Sequence, residues 1–284
     1  MKNKVDEYIN YCRIYLKENS VIDEKKNLKD FVIFCDKFEI KDLKFVNLNI
    51  FLQFINYLKE FTFNSNYTIN KKINCVNRLL KFNGLQEINV KKLKVEKTKQ
   101  NVLTEKELRN IIETIAEYDF HEDDYYNIMD RLIINLLIDT GARVSEVCNI
   151  QYRFLDLKND RVLIINTKNH NNRYLYFSKL THDLFVELLK YENYEDYVFM
   201  NLRTNKNIDR FYVRRIIDKI IEYTGINFHV HTLRHSFATI MISKGCPLTS
   251  LKELMGHSNI QTTMLYLHLT DNVIQADYKK FALR

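Results

Sequence analysis

The stretches VHTLRHSFATI (230–240) and LMGHSNIQTTMLYLH (254–268) decide how the rest of the chain is read. His231 and Arg234 are three residues apart, a spacing that puts both on one side of a helix and lets them aim at one point. Gly256 suits a helix C-cap and Ser258 can cap a following helix, so His257 is expected at a tight corner between two helices. Tyr266, nine residues beyond His257, then falls about two turns into that second helix. Each residue alone is ordinary, since a buried histidine is usually a hydrogen-bonded core residue and a helical tyrosine usually packs.

Upstream, an apolar helix is expected over residues 128–138, ending in DTGARVSEV (139–147). Gly141 breaks that helix, Arg143 follows at the turn, and Ser145 starts another helix. An arginine between two apolar helices is costly to bury unless an anion meets it. The anion can be the neighbouring Glu146 in a structural salt bridge, or a ligand. Short strand signals follow at 154–157, 161–166 and 173–177, with an Asn159–Asp160 turn and an asparagine-rich loop, TKNHNN (167–172), as a hairpin tip. Lys168 is the lysine on that tip, where a lone lysine is ordinarily just solvated.

Arg143, Lys168, His231, Arg234, His257 and Tyr266 stand in the order and local wording of the tyrosine recombinase (phage integrase) family. The chain resembles its Xer-like, site-specific members. The family's boxes read T-G-x-R-x-S-E-L, a lysine on a hairpin, H-x-x-R, L-G-H and a nucleophilic tyrosine. Here Val147 replaces the usual leucine of the first box, Met255 replaces leucine before Gly256, and the glycines that often flank the hairpin lysine are absent. The resemblance implies that Arg143 and Arg234 grip non-bridging phosphate oxygens and that Lys168 protonates the departing 5′ oxygen. It further implies that His257 donates to a phosphate oxygen, that Tyr266 attacks phosphorus, and that His231 is the base or hydrogen-bond partner of the tyrosine. The expected product is a 3′-phosphotyrosyl link, made without metal, cofactor or ATP by a tetramer on paired duplex DNA sites. That tetramer is either of one chain or shared with a second recombinase. A type IB topoisomerase would use the same tyrosine chemistry, and an accessory DNA-binding protein would keep the fold with a decayed site; the intact six residues favour the recombinase.

The remaining chain is consistent with a polyanion partner. Its 284 residues favour two domains. The net charge of +7 is concentrated: residues 1–100 carry 20 Lys and Arg against 12 Asp and Glu, whereas residues 101–284 carry 23 against 24. Residues 1–90 show four apolar stripes at helical spacing, over 5–16, 23–38, 47–61 and 68–82. Their aromatics are expected in a core, with Lys71, Lys72 and Arg78 as basic positions on the last helix. A helical bundle of this kind resembles the family's core-binding domain. Residues 91–102 hold Lys91, Lys92 and Lys94 in a run with no apolar face, which reads as a basic linker laid along phosphates.

The second domain, 103–284, opens with a Thr104–Glu107 capping box. Residues 113–130 carry seven acidic and no basic side chains, a face that DNA would repel. Helices are expected over 180–191 and 208–223, with a short strand over 197–201. The second of these helices carries Arg210, Arg214 and Arg215, which the resemblance places against DNA, mostly its backbone. The expected fold is mainly α with a small antiparallel β-sheet: an N-terminal helical bundle plus a tyrosine-recombinase catalytic domain. The tail after Tyr266 would pack on a neighbouring protomer or fold back on its own domain. Five scattered cysteines in no metal-binding spacing read as reduced thiols, and neither a membrane span nor an apolar leader is evident, so a cytoplasmic location is expected.

Overall fold

The computed structural model describes residues 1–95, 101–165, 172–191, 196–257, 259–264 and 266. The chain divides into two compact units, Met1–Thr98 and Lys99–Arg284.

Four helices form the first unit: α1 (Lys2–Tyr15), α2 (Glu18–Lys37), α3 (Leu48–Phe61) and α4 (Asn66–Phe82). The side chains of Asn47 and Ser65 accept from the backbone N–H three residues on and so start α3 and α4. The apolar stripes meet on a core in which Phe31, Phe34, Phe51 and Phe54 are fully buried, each worth roughly 1.5–3 kcal/mol over exposure. The aromatics at these positions are thus core residues. Residues 88–94 do not leave the unit as a free linker. The side chains of Asn70 and Asn77 each exchange two hydrogen bonds with the backbone of Leu93 and Ile88, and Asn66 donates to the carbonyl of Lys94. The asparagines on α4 act as a template for an extended strap, a role that hydrophobic patterning does not reveal.

The second unit is built around α6 (Asp124–Thr140), most of whose residues are buried. It packs against α5 (Glu105–Glu117), α8 (Lys179–Leu188) and α10 (Val230–Ser243). Thr104 and Glu107 close the expected capping box at the start of α5. After α6 come the short helix α7 (Val144–Val147) and a three-stranded antiparallel sheet. Its strands are β1 (Leu155–Asp156), β2 (Arg161–Ile164) and β3 (Arg173–Tyr176). Val162 lies opposite Leu175 and Ile164 opposite Arg173, so strand alternation turns Arg173 and Leu175 inward and Tyr174 and Tyr176 outward. A second pair, β4 (Met200–Asn201) and β5 (Lys206–Asn207), precedes α9 (Arg210–Thr224). The expected strand at 197–201 is shorter than its apolar run suggested, and β5 was not anticipated, because two-residue strands show no periodicity. The described chain closes with α11 (Leu248–Met255) and α12 (Ile260–Met264). The protein is therefore mainly helical with small antiparallel sheets. Among the described residues no helix is long and apolar enough to cross a membrane.

Candidate active site

The site is assembled at the C-terminal end of α11, where helical carbonyls lack intrahelical partners and carry the negative end of the helix dipole. Three guanidinium groups from three different elements take these carbonyls in sequence. Arg173 Nε donates to Leu254 O (2.9 Å), Arg234 Nη2 to Met255 O (2.6 Å) and Arg143 Nη2 to Gly256 O (3.3 Å). Arg234 also donates through Nη1 to Gly141 O (2.7 Å), the left-handed residue that ends α6. A Cβ at Gly141 would stand 2.4 Å from Cδ1 of Phe237 on α10, so the glycine lets the Arg234-bearing helix approach.

Glu146 is the carboxylate of this cluster. It accepts two bonds from Arg173 (2.9 and 2.8 Å) in fork geometry, and one each from the backbone N–H and Nη1 of Arg143 (2.7 and 2.9 Å). Burial alone would raise its carboxyl, but the bonds and charges of Arg173 and Arg143 overcome that and hold it at about 2. The sequence left open whether Arg143 meets Glu146 or a ligand. It meets Glu146, and its side chain stays 39% exposed, so it is also accessible to an incoming anion. Three arginines face one carboxylate among the described residues, which leaves an excess of positive charge. That charge and burial are felt throughout: burial first and then Arg143 bring Arg234 down to about 10.

His257 lies at the expected corner, immediately after the left-handed Gly256. Its Nε2 is 3.0 Å from Arg234 Nη2 and its Nδ1 is 2.9 Å from Thr263 Oγ1. A guanidinium can only donate, so Nε2 accepts and Nδ1 carries the proton toward Thr263. Burial, followed by the charges of Arg234, Arg143 and Arg173, lowers His257 to about 4. In this arrangement the ring has no N–H free for a phosphate oxygen. Donation to phosphate would require Arg234 to leave Nε2 and that nitrogen to take up a proton.

Tyr266 is 3% exposed and packs against Ala238, Ile242, Leu251 and Met255. Its ring lies parallel to that of His257, with centroids 6.4 Å apart. Burial raises its phenol, and Arg234 and Arg143 oppose the rise. The hydroxyl is bonded to Nδ1 of His235, at 2.8 Å. His231, the partner expected from sequence, is exposed, and the Tyr266 hydroxyl meets His235 in its place. The expectation that His231 and Arg234 aim at one point is also corrected. Their positions differ by about 60° around the helix axis, enough to turn one inward and leave the other at the surface. Sequence reading passed over His235, Arg173 and Thr263. His235 was within reach of the same argument, because it follows Arg234 directly and stands one full turn after His231.

The other expected residues are distributed as follows. Lys168 lies outside the described residues, as do Ser258 and the tail 267–284. Arg210, Arg214 and Arg215 lie on the exposed side of α9, where Arg214 is 3.7 Å from Asp218. Lys71, Lys91, Lys92 and Lys94 are exposed. Lys72 is not a surface residue: it is 7% exposed and paired with Asp30, so it is corrected from DNA contact to core ion pair. Arg78 pairs with Glu24 while its side chain stays half exposed. Among the described residues no three His, Cys, Asp or Glu side chains are grouped so as to hold a metal ion.

Comparison with known proteins agrees with this architecture. The pattern of the phage integrase family matches residues 101–273. A probable integrase/recombinase of Acholeplasma phage L2 is 30% identical over 250 residues, covering 86% of this chain and 84% of that protein. The tyrosine recombinase XerA of Saccharolobus solfataricus is 34% identical over 151 residues, 53% of this chain and 50% of that protein. Among solved structures, the XerH site-specific recombinase bound to a palindromic difH substrate superposes with a TM-score of 0.75 at 20% identity, covering all of this chain and 84% of that one. With the family pattern spanning more than half of its length, the chain belongs to the phage integrase family, the tyrosine-type site-specific recombinases that act on DNA.

Proposed function

We propose that this recombinase cuts and rejoins duplex DNA at specific sites through a 3′-phosphotyrosyl link on Tyr266, as a tetramer on paired sites, without metal or ATP, in the cytoplasm. The observation that carries the reading is the burial of the Tyr266 hydroxyl beside an arginine cluster whose charge exceeds that of its one carboxylate. A phosphodiester entering there would meet Arg143 and Arg234, whose planar guanidinium groups match its non-bridging oxygens. As phosphorus becomes pentavalent its oxygens gain charge, and the guanidinium groups, held close to the site by Glu146 and the carbonyls of α11, stabilise that charge. Tyr266 Oη bonds to phosphorus, the bond to the 5′ oxygen breaks, and Lys168 supplies that oxygen with a proton. One phosphodiester replaces another, so a partner strand's 5′ hydroxyl can reverse the step without an energy source. Residues 1–90 would serve as the core-binding domain, and Arg210, Arg214 and Arg215 would hold the phosphate backbone.

The test is a nicked suicide duplex carrying the site that the protein selects from a random-sequence pool. Wild type should yield a protein–DNA adduct on a denaturing gel in the presence of a chelator, and Tyr266→Phe should not. An adduct that persists in Tyr266→Phe removes Tyr266 as nucleophile.

A further inference from the structure

We propose that His235 is the catalytic base of this enzyme, receiving the proton of the Tyr266 hydroxyl on Nδ1 as the tyrosine attacks phosphorus. The inference rests on Tyr266 being the nucleophile. Three observations separate His235 from His257 and His231. Its Nδ1 lies 2.8 Å from the tyrosine oxygen, within the range for direct proton transfer. The His257 ring lies parallel to the tyrosine ring with centroids 6.4 Å apart, and its two nitrogens are directed to Arg234 and Thr263. His231 is exposed at the start of α10.

The placement of His235 suits a base. The groups acting on it are His231 and Arg234 from its own helix and, from the C-terminal segment, the Tyr266 ring, whose centroid is 5.6 Å away. Burial, then the charges of His231 and Arg234, disfavour its protonated form. The ring therefore waits neutral, and in the proposed tautomer its one proton sits on Nε2, which leaves Nδ1 open to the tyrosine proton. In the forward step the Oη–H bond breaks and the proton passes to Nδ1. The Oη–P bond forms, the P–O5′ bond breaks, and its electron pair stays on O5′, which takes a proton from the acid proposed as Lys168. In rejoining, the imidazolium returns the proton to Tyr266 as it leaves. No oxidant, reductant or further reactant is involved.

His235→Asn keeps a hydrogen-bonding group near the position of Nδ1 but cannot take up a proton. On the same suicide duplex it should bind within about 2-fold of wild type and cleave more slowly at neutral pH by ~10²–10⁴-fold, the usual range for a positioned base. Its rate should climb steeply as pH rises toward the ordinary phenol range near about 10. Replacing Tyr266 by a fluorinated tyrosine, a more acidic phenol, in the His235→Asn background should restore most of the lost rate. A deficit that is constant across pH and unrelieved by fluorination would make His235 a positioning residue only and overturn the proposal, as would cleavage within about 3-fold of wild type. If Tyr266→Phe still forms the adduct, the nucleophile assignment itself has failed. In the free full-length protein, without DNA, the ¹⁵N resonance of His235 Nδ1 should be that of an unprotonated acceptor and should shift in Tyr266→Phe; a protonated Nδ1 at neutral pH overturns the proposal independently of any cleavage.

Discussion

A Cβ atom on Gly256 would stand 2.7 Å from Nη1 of Arg173. The residue that caps α11 in the left-handed conformation is thus also the floor on which the buried guanidinium lies. Gly256→Ala meets both a backbone and a steric penalty. It should lower stability by roughly 1–3 kcal/mol in denaturant titration. A loss below about 0.5 kcal/mol would show that Arg173 moves aside freely.

Tyr266→Phe removes a buried hydroxyl and leaves His235 Nδ1 without its bond. The partly buried imidazole can turn to water, so stability should change by no more than about 1 kcal/mol. DNA affinity should be unchanged while covalent adduct formation is abolished. A large loss of affinity would place the tyrosine in binding as well as chemistry.

Glu146 holds Arg173 and Arg143 together, and its carboxyl is lowered from an ordinary 4.5 to about 2. A depressed carboxyl contributes stability that is present above about pH 4.5 and is lost as pH falls toward about 2. Glu146→Gln should flatten that part of the stability curve. At neutral pH it should cost on the order of 2–4 kcal/mol, because Arg173 is left buried without a counter-charge. An unaltered acid limb would mean that other carboxylates dominate it.

His257 titrates in a higher window. Its folded value of about 4 lies below the ordinary 6.5, so the unfolded chain binds the extra proton between the two. Stability from the neutral ring is complete above about pH 6.5 and is lost as pH falls to about 4. His257→Gln, which can still accept from Arg234, should lose less stability over that interval in pH-dependent thermal melts. Identical slopes in both proteins would contradict the burial of a neutral ring here.

Lys71 and Lys72 are adjacent on α4 yet should behave oppositely. Lys71 is exposed, so Lys71→Ala should weaken DNA binding and reduce the slope of log affinity against log salt by about 1. Lys72 is buried on Asp30, so Lys72→Met should leave that slope unchanged and alter stability instead. Equal salt slopes for the two variants would refute the assignment.

By itself the sequence determined the elements with strong local signals. The four helical stripes of the N-terminal unit, the Thr104–Glu107 box, the Gly141 and Gly256 caps and the β2–β3 hairpin depend on periodicity and on positive φ, which are properties of neighbouring residues. It also determined the family, because Arg143, His231, Arg234, His257 and Tyr266 keep their order and wording whatever the packing. Only the tertiary structure decided which side chains meet. That the tyrosine hydroxyl faces His235 and not His231 depends on how α10 is rotated against α11 and α12, an angle fixed by core packing. That Arg173, 27 residues after Glu146, completes the arginine cluster follows from strand alternation turning it inward beneath α11. That Lys72 serves the core while Lys71 faces solvent follows from where Asp30 lies on a separate helix. Such contacts join residues far apart in sequence, and no local pattern encodes them.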